Sequence, residues 1–164
     1  MLNQVRCLSF VLLLMSSLTA PLAAGEKEFE QKWARALFAS YFPESYPEER
    51  VGQLFEEAMN AAGASKDLVH ASLGDYVSEP TESLQHFRSA VSITPKLIYG
   101  WYQIYMHPES DPKLKKQARE NMLRFDPGNA YPHILGAFES IEKAAIPEAL
   151  DRVQAAYGKS FSIL

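Results

Sequence analysis

Apolar residues recur along this chain at three- and four-residue steps, and proline or glycine interrupts them at regular places. In residues 26–42, EKEFEQKWARALFASYF, the residues Phe29, Trp33, Leu37 and Tyr41 share one stripe while Lys and Glu occupy the other faces. That spacing predicts an amphipathic helix, which Pro43 ends. Ser45-Tyr46-Pro47-Glu48-Glu49 reads as the next start, with proline in the first turn and acids near the positive end of the helix dipole. The second helix carries Val51, Leu54, Phe55, Ala58 and Ala62 and stops at Gly63. A shorter third opens at Ser65, with Leu68, Val69, Ser72 and Leu73 as a weaker stripe.

Pro80 begins a fourth helix bearing Leu84, Phe87 and Val91, and a fifth holds Leu97, Trp101, Ile104 and Tyr105 before His107-Pro108. Asp111-Pro112 starts the sixth, where the Asp111 side chain can accept from the free amides of the first turn, and Phe125 closes it. After the turn Asp126-Pro127-Gly128-Asn129, a seventh helix is marked by Tyr131, Ile134, Leu135, Phe138 and Ile141. Ile146-Pro147 opens an eighth with Ala149, Leu150, Val153, Ala156 and Tyr157, ended by Gly158. No stretch alternates with the period of a strand, so the pattern predicts an all-α chain of about eight helices.

The punctuation is itself periodic. Pro47, Pro80, Pro112 and Pro147 stand 33, 32 and 35 residues apart, and Gly63, Pro95 and Pro127 stand 32 and 32 apart. Two interleaved series with one period argue for stacked antiparallel helix hairpins, each burying its apolar face on the next. An irregular helical bundle is the alternative.

Over residues 67–157 the chain resembles the tetratricopeptide repeat. Ala137, Ala149 and Ala156 fall on that family's small positions, with Ile146, Val153 and Tyr157 on its larger apolar ones. Phe87, Ala90, Val91 and Pro95 resemble its second helix, and Trp101 its early aromatic. Ser83 replaces an alanine, Gly136 replaces a leucine, Tyr105 takes a small position, and the first unit lacks the pattern. The resemblance implies an α-solenoid whose concave face would be lined by Tyr99, Tyr102 and Met106, and then by Tyr131, Ile134 and Phe138.

Composition narrows the function classes. With 47% apolar and 22% charged residues among 164, the chain can bury a core. The net charge of -4 is spread without a basic block, so no nucleic-acid partner is expected. At the N-terminus Arg6, the apolar run CLSFVLLLMSSL and the small-residue exit TAPLAAG follow the order of a secretory signal peptide over residues 1–24, cleaved near Ala24 or Gly25. The run is shorter than the roughly 20 residues of a spanning helix, so no stable membrane anchor is expected after cleavage. Residues 25–164 then form a single all-α domain, periplasmic or secreted. Cys7, the only cysteine, precedes the apolar run instead of following it, which disfavours lipid attachment and leaves the mature chain without a disulfide.

Candidate chemistry is sparse. His70, His86, His107 and His133 show no HExxH pattern and no spacing of three or four residues. Ser110-Asp111-Pro112-Lys113 matches S-x-x-K without its companion motifs, and a capping role for Asp111 accounts for it. Glu26, Glu28, Glu30, Glu56 and Glu57 lie on polar helix faces. No catalytic residue, metal site or cofactor is expected. A small helical hydrolase or metal-dependent enzyme, and a purely structural or inhibitory module, are the alternatives.

The stretch Tyr99-Gly100-Trp101-Tyr102-Gln103-Ile104-Tyr105-Met106 has more aromatic surface than one core stripe needs. Trp101 belongs in the core, where burying roughly 200 Å² at about 25 cal/mol per Å² gives on the order of 5 kcal/mol gross. The other aromatics suit a protein or peptide partner, with Gln103 and Glu142 on a polar rim. Packing of the tail Phe161-Ser162-Ile163-Leu164 over this face is the competing explanation.

Overall fold

Helix starts follow the local chemistry of the chain. In the computed structural model, which describes residues 24–42 and 44–161, α1 spans Ala24–Tyr41, α2 Glu48–Ala61, α3 Lys66–Tyr76 and α4 Pro80–Ile93. They are followed by α5 Ile98–Met106, α6 Pro112–Phe125, α7 Tyr131–Glu142 and α8 Ile146–Ala156. The leader-like segment with Arg6 and Cys7, the terminator Pro43, and tail residues 162–164 lie outside the described residues.

Proline occupies the first turn of α4, α6, α7 and α8, where its missing N–H costs nothing. Asp111 caps α6 by accepting from the Leu114 amide at 2.7 Å, and Glu79 caps α4 through the Glu82 amide at 2.7 Å. Gly63 and Gly158 follow α2 and α8 with φ of 51° and 78°, the left-handed conformation that glycine adopts without strain.

The class is all-α: eight helices are present among the described residues, with sequence neighbours packed together, an arrangement compatible with a helical repeat. No described helix is long and apolar enough to cross a membrane. By contacts the chain divides into two compact units, one ending at Ser72 and the other beginning at Leu73.

In the first unit α1 packs on α2, and most of the predicted stripes are buried, Phe29, Trp33 and Leu37 on α1 and Val51, Leu54, Phe55 and Ala58 on α2, while Tyr41 at the end of the α1 stripe is half-buried. The Phe29 and Trp33 rings stack with centroids 5.8 Å apart. The indole N–H of Trp33 donates to Ser72 Oγ at 3.0 Å, which in turn donates to the Leu68 carbonyl, so both buried polar groups are satisfied.

In the second unit α4 packs on α5, α5 on α6, α6 on α7 and α7 on α8. Its core joins Leu84, Phe87, Val91, Trp101, Ile104, Ala118, Met122 and Leu135. Trp101 is buried as its spacing predicts, and its indole N–H donates to the Pro95 carbonyl at 2.7 Å. Ser110 is buried too, its hydroxyl committed to the Ile104 carbonyl at 2.5 Å and so engaged in closing the turn after α5.

The last hairpin differs from the expected apolar stripe. Ala137, Ala149 and Ala156 are buried, while Ile146, Leu150, Val153 and Tyr157 are exposed, Tyr157 at 92%. The physical reason lies in the close pairing of α7 with α8, which admits the small residues between the helices. The large ones sit on the adjoining arc of α8.

Candidate partner-binding face

Two rows of side chains carry the surface that the aromatic excess predicts. Tyr99, Tyr102 and Met106 share one side of α5, and Tyr131, Ile134 and Phe138 share one side of α7, both at steps of three and four residues. The Tyr102 and Tyr131 rings meet edge to face at 5.3 Å, and Tyr105 Oη donates to Glu139 Oε1 at 2.8 Å. These two contacts link α5 to α7, the later α5 residue meeting the later α7 residue.

The six predicted residues divide by environment. Tyr99, Tyr102 and Tyr131 are half-buried and lean on the core, whereas Met106 is 50% and Phe138 60% exposed. Ile134 is half-buried. On α7 the apolar surface continues to Ile141, which is also exposed. The structure therefore joins Tyr102 to Tyr131 directly and leaves Met106 and Phe138 open to solvent on the same sides of their helices.

Tyr99 is held differently. Its hydroxyl donates to Asp75 Oδ2 at 2.6 Å, and Gln103 Nε2 donates to Asp75 Oδ1 at 3.1 Å and to the Tyr99 oxygen at 2.6 Å. Crowding by protein atoms pushes the Asp75 carboxyl up to about 6, and the Tyr99 hydrogen bond pulls it back. The Asp75 side chain reaches solvent, so water screens part of that rise. Gln103, expected on a polar rim, is thus engaged in fixing Tyr99, while Glu142 is exposed.

Residues 159–161 fold back onto this face. The Ala130 amide donates to the Ser160 carbonyl at 2.6 Å, and the Ser160 amide donates to the Gly128 carbonyl at 3.0 Å, making an isolated parallel bridge between Asn129 and Ser160. Lys159 Nζ donates to the Pro127 carbonyl at 2.6 Å. These bonds lay Phe161 edge to face on Tyr131 at 5.1 Å, giving a ladder Tyr102–Tyr131–Phe161. Phe161 remains exposed, so the described part of the tail extends the aromatic surface at one end.

Several of the other candidate residues have local partners. His107 is buried beside Phe87, and its Nδ1 accepts from the Glu109 amide at 3.2 Å. Glu28 pairs with Lys32 and Glu57 with Arg50 on helix surfaces. Among the described residues no group of three or more His, Cys, Asp or Glu could hold a metal ion. A shallow open concavity of about 500 Å³ runs along α4, lined by Thr81, Leu84, Gln85, Arg88, Ser89 and Ser92, and no residue of the aromatic rows lines it.

Comparison of the chain with protein-family models, with characterised proteins and with solved structures gives no match. The residues themselves therefore carry the functional argument. Phe161, which the sequence places in a tail that could cover this face, does contact Tyr131, whereas Asp75 does not stand out in sequence. Asp75 falls in a weak helical stripe, and Phe161 reaches Tyr131 through backbone pairing that leaves no side-chain pattern.

Proposed function

We propose that the chain is an exported, non-catalytic helical-repeat protein of tetratricopeptide-like build, which binds an extended segment of a protein or peptide across the α5–α7 face. The observation that supports this most strongly is the solvent exposure of Met106 and Phe138 beside the Tyr102–Tyr131–Phe161 ladder. Large apolar side chains left open next to half-buried aromatics on the same helices suit a partner's apolar anchors. Covering the open part of Phe138, on the order of 100 Å², contributes about 2.5 kcal/mol gross.

The tail supplies a pattern for the binding mode. Its extended residues pair with the backbone of 128–130 and set one aromatic ring on Tyr131. A partner strand bound in this way would gain main-chain hydrogen bonds for affinity and place its apolar side chains on the rows for selectivity. Export rests on the leader-like order of residues 1–24.

Replacing Tyr102 and Phe138 together by alanine tests the reading. The double variant should keep the helical circular dichroism of the wild type and lose at least tenfold in affinity for a peptide that the wild type selects. Equal affinity of the two proteins for that peptide would exclude this face.

A further inference from the structure

Between α6, α7 and α8 the second unit contains a polar cluster where a repeat hairpin ordinarily packs apolar side chains. Arg119 of α6 is 7% exposed, and its Nε is buried without a hydrogen bond. Its one carboxylate partner among the described residues, Glu139 Oε1, lies 3.4 Å away and already accepts from the Tyr105 hydroxyl. Burial pushes the Tyr105 phenol up, and its hydrogen bond to Glu139 pushes it further, so the hydroxyl stays a neutral donor. Ser140 is buried and donates to the Gly136 carbonyl at 3.0 Å.

Gly136 stands where the repeat pattern places a leucine, and its missing side chain makes the cluster possible. A Cβ at Gly136 would lie 2.5 Å from Arg152 Nη1 and 3.0 Å from Arg119 Nη1, so two guanidinium groups converge on one point above the α7 backbone. Arg152 is half-exposed and makes no hydrogen bond or ion pair among the described residues. The two cations thus converge with one carboxylate, Glu139, paired to Arg119 and none paired to Arg152 among the described residues. Bringing like charges together in a partly desolvated place is costly unless an anion joins them.

We propose that Arg119 and Arg152, converging over Gly136, form a binding site for an oxyanion, a carboxylate or a phosphoryl group, entered from the exposed side of Arg152. The planar guanidinium fork suits both chemistries, since each presents paired oxygens to parallel N–H donors. Gly136 lets the two forks approach the helix. Glu139, itself bonded by Tyr105, pairs with Arg119, and the occupant supplies the second negative charge.

His133, one turn before Gly136 on α7, reports on the site. Burial lowers its pKa first, and the positive charges of Lys159, Arg152 and Arg119 lower it further. Glu139 pairs with Arg119, and the neutral Tyr105 of α5 faces Glu139, Arg119 and Glu142. An oxyanion between the arginines offsets their charge, so binding should raise the His133 pKa.

The test uses the full mature chain, with inorganic phosphate and succinate as separate probes. Each is titrated against sodium chloride of matched ionic strength while the His133 imidazole resonances and the arginine Nε–Hε signals are followed by NMR. The expected result is saturable binding of one probe and a His133 pKa raised by at least half a unit on saturation. Affinity should drop at least tenfold in Arg152→Gln. It should drop comparably in Gly136→Ala, which keeps both charges and puts a methyl group against Arg152 Nη1. Preference for phosphate assigns the site to phosphoryl groups, and preference for succinate to carboxylates. Absence of saturable binding by either probe beyond chloride overturns the proposal, as does equal affinity in a folded Arg152→Gln protein or an unmoved His133 pKa.

Discussion

Gly74→Ala isolates one close approach on which the second unit depends. A methyl group at Gly74 would stand 2.7 Å from Cε1 and Cζ of Phe87 and 2.9 Å from its Cδ1. The Phe87 ring is buried in the core among Leu84, Val91 and Trp101, and Ser83, one turn earlier on α4, fixes the Gly74 carbonyl with a 2.6 Å hydrogen bond. Helix propensity alone makes Gly→Ala stabilising by about 1 kcal/mol. Overpacking costs about 1–3 kcal/mol, and a contact this short belongs at the upper end. The net expectation is a loss of about 1–2 kcal/mol. In a Phe87→Leu background the ring is gone and the same substitution should gain about 1 kcal/mol from the same propensity. The four proteins form a double-mutant cycle, measured by urea unfolding followed with circular dichroism, with a coupling of about 2–3 kcal/mol. A stabilising Gly74→Ala in the otherwise wild-type chain, or an equal effect in both backgrounds, would refute the claim that α3 rests on the Phe87 ring.

Three further substitutions test separate parts of the account. The raised Asp75 pKa means that the folded chain holds the proton more tightly than the unfolded chain between the ordinary carboxylate value and about 6. Stability from this group therefore falls as pH rises through that window, and Asp75→Asn should compare more favourably with wild type in thermal melts at pH 7 than at pH 3.5. Asp111→Ala removes the cap on the Leu114 amide and should cost about 1 kcal/mol in urea unfolding. Ala144 has φ of 55° in the α7–α8 turn, and Ala144→Gly should stabilise by about 1 kcal/mol in the same assay.

Helix starts were legible because their causes are local. Proline in a first turn or an aspartate accepting from an amide three residues on leaves its mark in adjacent positions, as at Asp111-Pro112. The buried stripes of α1, α2 and α4 were legible for a related reason: Phe29, Trp33 and Leu37, or Leu84, Phe87 and Val91, have polar residues around them that leave one face to bury. On α8 that inference fails, because Ala149 and Leu150 both belong to an apolar arc and only the position of α7 decides between them.

The candidate faces show the same boundary between local and distant causes. Helical spacing grouped Tyr99, Tyr102 and Met106, yet it carried no sign that Asp75 holds Tyr99 across 24 residues. The Arg119–Arg152 convergence was less visible still. Its members come from different helices, and in sequence its one trace is a glycine at position 136, where the tetratricopeptide resemblance would place a leucine.

The most direct test of partner binding is selection from a random peptide display library on the wild-type protein, followed by affinity measurements against Phe138→Asp. Phe138 is 60% exposed, so the substitution leaves the core intact while placing a charge in the open part of the face. The account predicts that selected peptides share apolar anchors, bind the folded variant at least tenfold more weakly, and move the Phe161 ring off Tyr131 in NMR spectra. Selected peptides that bind Phe138→Asp as tightly as wild type, or a library that yields no enriched sequence, would contradict it.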